Sequence, residues 1–255
     1  MKKAILLVLT VLVASCAPPP KPVPLLPDLE QRLLGQLRDS GRKFSSLEGI
    51  AEVEVVDTER KVSTTQILFA KKPGQLRTEI LSPFGTPLML IATDGQALTA
   101  YLPGDGLFYR GDATDANIQR LLRIPLRLED LVDIVLYAPP LFDYNSVEAG
   151  VESGSHYLLT LDEEGAYRQE FRFDRELHLV GARYRMGKEK LLEVNYEFRS
   201  PGSVYPQKIK AEMPQHESSL AVTFSDVETN IDIGPDRFLL SPPAGVKTRP
   251  LPAKY

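Results

Sequence analysis

The sequence has 255 residues, of which 43% are hydrophobic and 25% are charged, and its formal net charge is −4. This length suffices for one large domain or two small ones with a buried core. The acidic balance disfavours nucleic acid, which binds basic surfaces, as a partner. Because the chain has only one cysteine, intramolecular disulfides are excluded and packing alone must stabilise the fold.

The N-terminus has the organisation of a bacterial lipoprotein signal. Two lysines follow Met1, and the stretch 4–14 is apolar or small, which is too short to span a membrane as a helix. Val13 begins an aliphatic-small-small-cysteine pattern, the lipobox, that ends at Cys16. We therefore expect residues 1–15 to be removed and Cys16 to carry lipid. The alternative is an ordinary signal peptide with a chance cysteine.

The residues after Cys16 indicate where the anchored chain would lie. Three acyl chains form a stable membrane anchor, whereas one chain alone is marginal. Ala17 stands where inner-membrane retention signals of many Gram-negative bacteria place Asp. This resemblance to lipoprotein signals implies the outer membrane, with the domain facing the periplasm. Residues 16–27 form a proline-rich tether, which would be extended at ~3.1 Å per residue.

One domain is predicted from residue 28 to residue 240, followed by an irregular tail, 241–255. Asp28 can cap a helix with a leucine stripe, and the apolar period then changes from 3.6 to two. Strands are predicted at 50–56, 62–70, 76–81, 86–92, 96–102, 144–149, 156–161, 167–173, 177–185, 191–198, 207–212 and 220–227. Between them, Thr114 caps one short helix and Pro125 opens another, whose wide apolar surface suggests a loosely packed lid.

This element order predicts a mainly β fold. A meander of antiparallel strands with a single helical excursion favours a strongly curved sheet, that is, a half-open antiparallel β-barrel with a helical lid and an N-terminal helix. Two stacked sandwiches remain the alternative. No internal repeat is visible.

Catalytic and metal-binding patterns are missing from the sequence. His156, His178 and His216 are about 20 or more residues apart, without the spacing of metal ligands. No serine lies in a Gly-x-Ser-x-Gly elbow, and the acidic run 162–164 falls in a predicted hairpin turn. We therefore expect no enzyme activity, no metal and no cofactor. An envelope hydrolase is the least supported alternative.

The turn from Ser82 to Pro87 carries an aromatic side chain where hairpins normally have small or polar residues. Phe84 stands between Pro83 and Gly85. Burying a Phe side chain in an apolar phase is worth about 1.5–3 kcal/mol, so an exposed Phe84 would gain from entering a membrane or a partner. The alternative is that the loop folds back and Phe84 covers the barrel end.

The region from Lys61 to Gly85 resembles the outer-membrane lipoprotein receptor family LolB. The resemblance lies in the turn at Gly74, in Arg77 on the following strand and in the terminal Pro-Phe-Gly, and it extends to the Ile-Pro-Leu at 124–126, the lipobox and the N-terminal helix. It implies a half-open barrel that accepts triacylated lipoproteins from the periplasmic carrier LolA and inserts them into the outer membrane.

In that family the corresponding loop exposes a leucine needed for insertion, so Phe84 would be the membrane-inserting residue here. The chain departs from the family pattern in its greater length, its extra C-terminal material and its lack of tryptophan. The expected partners are the acyl chains of lipoproteins, a LolA-like carrier and the membrane, and the protein is expected to be a monomer. A binding module that senses lipid or supports envelope assembly, without transfer, remains the alternative.

Acyl chains would need an apolar interior. Alternation along the second predicted strand, and the apolar face of the second inserted helix, suggest six lining residues. They are Ile67, Phe69, Leu128, Leu131, Val132 and Val135. Three chains of about 16 carbons, fully buried at ~0.8 kcal/mol per CH₂, would exceed the range of non-covalent affinity. A useful receptor would therefore bury them only in part.

Overall fold

The computed structural model describes residues 26–152, 155–163 and 167–251. Its α-helices are α1 (Leu29–Lys43), α2 (Asp115–Leu122) and α3 (Leu128–Val135). Its strands are β1 (Ser46–Val56), β2 (Lys61–Lys71), β3 (Gln75–Leu81), β4 (Pro87–Thr93), β5 (Ala97–Leu102), β6 (Leu107–Asp112), β7 (Ser146–Glu152), β8 (His156–Asp162), β9 (Tyr167–Phe173), β10 (Leu179–Met186), β11 (Glu189–Glu197), β12 (Lys208–Met213), β13 (Ser218–Thr229) and β14 (Thr248–Pro250). Two 3-10 helices span Pro214–His216 and Pro235–Phe238. Cys16, the signal peptide and most of the tether lie outside the described residues.

All of these strands belong to one sheet, in the order β14-β6-β5-β4-β3-β2-β1-β13-β12-β11-β10-β9-β8-β7. The two meanders, β1–β6 and β7–β13, join where β1 pairs with β13. All pairs are antiparallel except β14 on β6. The edges β14 and β7 are not paired with each other, so the sheet curves without closing. The predicted half-open barrel is confirmed, and the two-sandwich alternative is wrong.

Strand alternation places one face of the sheet toward a common interior. On β8 the residues Tyr157, Leu159 and Leu161 are buried there, and the other strands repeat this pattern. Helix α1 adds Leu33 and Leu37 to the same core. Within the described residues, no helix combines the length and apolar character needed to cross a membrane.

Within the described residues, five turns lie at one end of the sheet, which we call the mouth. They are 57–60 between β1 and β2, 82–86 between β3 and β4, 103–106 between β5 and β6, 187–188 between β10 and β11, and 214–217 between β12 and β13. The strand directions place them together because each neighbouring pair is antiparallel. The opposite end, which we call the base, contains the β2–β3 turn at 72–74 and the β9–β10 turn at 174–178.

Helix α3 lies across the base. At its start, Leu128 lies against the β2–β3 turn at Gly74. At its end, the hydroxyls of Tyr196 and Tyr205 donate to the carbonyls of residues 134 and 135, which belong to the last turn of the helix. The carbonyl of residue 134 also accepts from the Tyr137 N–H at 3.1 Å. Burial raises the pKa of both phenols, so they stay protonated donors. The expectation of a loosely packed lid is wrong for this helix, because its wide apolar surface is buried on several sides.

Candidate functional site

The β3–β4 loop displays Phe84 at the mouth with 95% of the residue exposed. The loop is held by Ser82, whose backbone N–H donates to the Thr86 carbonyl over 2.8 Å and whose carbonyl accepts from the Gly85 N–H over 2.9 Å. The Ser82 hydroxyl also accepts from the N–H groups of Phe84 and Thr86 at 3.3 and 3.2 Å. Gly85 has φ 79°, which glycine adopts without strain. The alternative in which Phe84 folds back over the barrel is therefore wrong.

Behind this loop, an apolar cavity of about 240 Å³ lies between the concave face of β1–β4 and helix α2. Its apolar lining consists of Val53, Val55, Val62, Ile80, Met89, Ile91, Leu121, Leu122 and Ile124. Thr64, Gln66 and Thr78 form a polar ladder in the wall, in which Gln66 bonds both threonine hydroxyls. Because these hydrogen bonds are satisfied internally, the ladder costs little when an apolar ligand covers it.

Helix α2 covers the cavity and is fastened to the β1–β2 turn at the mouth. Arg123, just after the helix, contacts Asp57 at 3.0 Å and Glu59 at 3.2 Å. The backbone N–H of Glu59, followed by the Arg123 guanidinium, lowers the pKa of Asp57. Ion pairs at the protein surface contribute little to stability, so these contacts hold α2 only weakly to the β1–β2 turn. At the other end of α2, Thr114 is the N-cap, as predicted, and accepts from the Asn117 N–H.

The predicted lining residues on β2 lie on the opposite face of the sheet. Ile67 and Phe69 point outward, where they pack with Ile231, Ile233 and Phe238 of the segment after β13. Their assignment to the cavity is therefore wrong. The error is a shift of one residue, which moves every side chain of a strand to the other face. The inward-facing residues Thr64 and Gln66 are polar, whereas the outward-facing Ile67 and Phe69 are apolar and therefore resemble core residues in the sequence.

The four predicted residues on α3 are buried but do not border the cavity. Leu128, Leu131, Val132 and Val135 pack in the main core above the base. The sequence does contain a signal for part of the actual lining, since Leu121, Leu122 and Ile124 form an apolar run in the helical insertion. The lining residues of β1, β3 and β4 were missed because alternation alone does not say which face curves inward.

The histidines lie apart from the cavity. Carboxylate and imidazole atoms of Asp174, Glu176 and His178 lie within 4.8 Å of one another at the β9–β10 turn. Asp174 Oδ1 accepts the backbone N–H groups of Glu176 and His178 at 3.0 and 2.8 Å. This turn geometry explains why the three groups are close. His156 contacts Ser155, and His216 is at the mouth, on the 3-10 helix after β12.

These features define the class of the protein: one open, curved antiparallel sheet around an apolar interior, covered in part by helices. No protein-family model matches the sequence, and no curated protein matches it. Solved structures do match. A DUF1329 family protein from Desulfovibrio piger has 15% identity and a TM-score of 0.53, with 83% of this chain and 97% of the other covered.

Two further solved structures have a fold similar to that of this chain. A LolA superfamily protein from Nitrosomonas europaea has 14% identity and a TM-score of 0.52, with 83% of this chain and 98% of the other covered. An outer membrane lipoprotein-sorting protein domain from Vibrio parahaemolyticus has 12% identity and a TM-score of 0.52, with coverages of 81% and 94%. The chain therefore has the fold of LolA superfamily proteins.

Proposed function

We propose that this protein is a lipoprotein-binding module of the cell envelope which accepts acylated lipoproteins from a periplasmic carrier and inserts them into the outer membrane. The observation that carries the proposal is the position of Phe84, an exposed aromatic on a hydrogen-bonded loop at the same end of the sheet as the α2-covered apolar cavity. Similarity to the fold of a lipoprotein-sorting domain supports it.

The size of the cavity fits a transient handover. About 240 Å³ lies below the ~300–1,000 Å³ of usual ligand sites, so it would hold only part of one acyl chain unless α2 moves outward. The light fastening of α2 by Arg123 would permit that movement. Partial burial keeps the complex weak enough to release its cargo, since three fully buried chains would bind nearly irreversibly. The proposed role needs no catalysis.

In this proposal, Cys16 carries the lipid anchor in the outer membrane and the domain faces the periplasm as a monomer. The tether would keep the mouth within reach of the bilayer. Phe84 would then enter the bilayer and open a local path for the acyl chains. An anchor-free Cys16→Ala form is expected to keep cargo binding but to deliver cargo to membranes indiscriminately.

A transfer assay tests this proposal. The donor is an acylated lipoprotein bound to its carrier, and the acceptor is a phospholipid vesicle. The wild type should move cargo to the vesicles, whereas Phe84→Glu should take cargo from the carrier but fail to insert it. Val204→Glu is the matched control, because Val204 is also an exposed apolar residue but lies near the base. Equal transfer by the Phe84→Glu variant and the wild type would show that Phe84 has no insertion role.

The small cavity favours a second candidate, a lipid-sensing or assembly module that binds without transfer. Depletion of the protein in cells separates the two. Under the first proposal, other lipoproteins accumulate on their carrier, whereas under the second they reach their membranes normally.

A further inference from the structure

A second group of exposed apolar side chains lies at the mouth, far along the chain from Phe84. Leu141 and Phe142 follow α3, Tyr167 begins β9, and Met186 ends β10 beside Tyr167. Their exposed fractions are 49%, 38%, 37% and 46%. The Phe142 ring lies 5.7 Å from the ring of Tyr167. We call these four residues the mouth patch.

The loop that presents the mouth patch is held by buried polar groups. Gln169 is fully buried, and its side chain accepts from the Phe142 N–H at 2.8 Å and donates to the Phe142 carbonyl at 3.0 Å. The buried Tyr184 hydroxyl donates to the Pro140 carbonyl at 2.5 Å. A buried amide is costly unless both its ends are bonded, and here both bonds fix one backbone position. Phe142 is therefore held at the surface in a defined conformation, as Phe84 is by Ser82.

Strand direction places the mouth patch and the Phe84 loop at the same end of the sheet. Tyr167 and Met186 lie beside the β10–β11 turn, and Phe84 lies in the β3–β4 turn. Six strand spacings separate β3 from β10. At about 4.8 Å each, this is about 29 Å along the sheet, and less in a straight line because the sheet curves. A flat partner that touches one group can therefore also touch the other.

We propose that the mouth patch is a second membrane-contact site, which rests on the bilayer interface while Phe84 inserts across the mouth. Tyr suits this region because it combines an apolar body with a polar tip, and the Phe, Leu and Met side chains would be buried in the apolar layer beneath it. Two separate apolar groups at one end of a half-open barrel suit contact with a flat surface, such as a bilayer, better than contact with a groove. The inference rests on the proposed function in assigning Phe84 to the bilayer.

The chain outside the described residues also favours a bilayer over a protein partner. The proline-rich sequence of residues 17–27 predicts a tether that would reach about 34 Å at ~3.1 Å per residue. A domain anchored through Cys16 would therefore meet the membrane surface at a high local concentration, so weak contacts at the mouth would be enough to orient it. Two contact points would fix that orientation, with the cavity opening toward the lipid.

The lack of tryptophan makes the test direct. The mature chain with Cys16→Ala, free of its anchor, receives one tryptophan by Phe84→Trp, Phe142→Trp or, as control, Val204→Trp. Vesicles of phosphatidylethanolamine and phosphatidylglycerol with brominated acyl chains are added. We expect a blue shift and quenching for positions 84 and 142 and none for position 204.

A charge variant gives an independent measurement. Leu141→Glu should lower vesicle partitioning at least about tenfold, because burial of one leucine side chain exceeds that factor. Val204→Glu should leave it unchanged. Leu141 is half exposed, so its replacement should preserve the melting temperature, and a folded Leu141→Glu variant that partitions as the wild type does would overturn the inference.

The outcomes separate this inference from the proposed function. Quenching at position 84 but not 142 would overturn the second contact and leave the insertion role of Phe84 intact. Quenching at 142 but not 84 would support the mouth patch and count against that role. No quenching at either position would overturn both. A change at position 142 seen only with a cargo-loaded carrier would make the patch a protein-docking surface and overturn the membrane assignment.

Discussion

The outward position of Phe69 can be tested by separating stability from ligand binding. Phe69 is 4% exposed, and the guanidinium groups of Arg77 and Arg237 lie 5.9 and 5.4 Å from the centre of its ring. Truncation of a buried Phe to Ala costs about 3–5 kcal/mol, of which about 1 kcal/mol here would be the loss of the cation–π contacts. Phe69→Leu keeps most of the side-chain volume and should lower the stability by only about 1–2 kcal/mol.

For a domain of this size, 1 kcal/mol shifts the melting temperature by about 2–4 °C, so Phe69→Ala should lower it by about 6–20 °C. Thermal unfolding gives this shift, and titration with a fluorescent fatty acid below the transition reports on the cavity. We expect Phe69→Ala to bind the probe as the wild type does. Ile80→Trp, which fills the cavity, should weaken binding without comparable destabilisation. Loss of probe binding by Phe69→Ala at an unchanged melting temperature would refute the face assignment.

Three other changes test the lid, the mouth patch and the Phe84 loop. Arg123→Ala should leave the melting temperature within about 4 °C of the wild type. The same change should speed the entry of an apolar dye into the cavity, measured by stopped flow. Equal entry rates in the variant and the wild type would contradict the role of α2 as a cover. Folding lowers the pKa of Asp57 below its unfolded value of 3.8, so the ion pair with Arg123 is present above pH 3.8 and is lost as the pH falls through the folded pKa. Dye entry should therefore also become faster in acid. An NMR titration of Asp57 measures the folded pKa. Gln169→Leu leaves two backbone groups of Phe142 without partners, at a cost of about 1–3 kcal/mol, and should lower the melting temperature by about 2–12 °C. An unchanged melting temperature would show that water replaces the lost hydrogen bonds. Ser82→Ala should weaken vesicle binding less than Phe84→Glu does, as measured by flotation.

Much of the fold could be predicted because it depends on local signals. Period-two alternation and glycine-containing turns located twelve of the fourteen strands in the described residues, and Thr114 marked the start of α2. Strand β6 was missed because its short apolar run continues directly from a glycine-rich turn. Strand β14 was missed because it has only three residues and pairs with β6, which is distant in the sequence.

The site was less predictable because it depends on which face of each strand curves inward. Phe84 could be identified because it is an aromatic residue between turn-forming residues. Whether its side chain is exposed could be decided only from the loop geometry. The lining of the cavity was not identifiable, since Thr64 and Gln66 face inward while Phe69 is buried by a segment about 165 residues later in the chain. Phe142 and Met186 come together only through tertiary structure.

The pairing of β1 with β13 sets the order in which the molecule can form. Leu47 lies opposite Thr229, so the first strand of the sheet cannot complete its hydrogen bonds until nearly the whole chain is available. Contacts at such separation slow folding, because the loop must close before any stabilisation is gained. Under the proposed export, slow folding would keep the precursor unfolded while it passes through a secretion channel. Refolding from urea should be slow compared with that of helical proteins, and removal of residues 218–229 should prevent it.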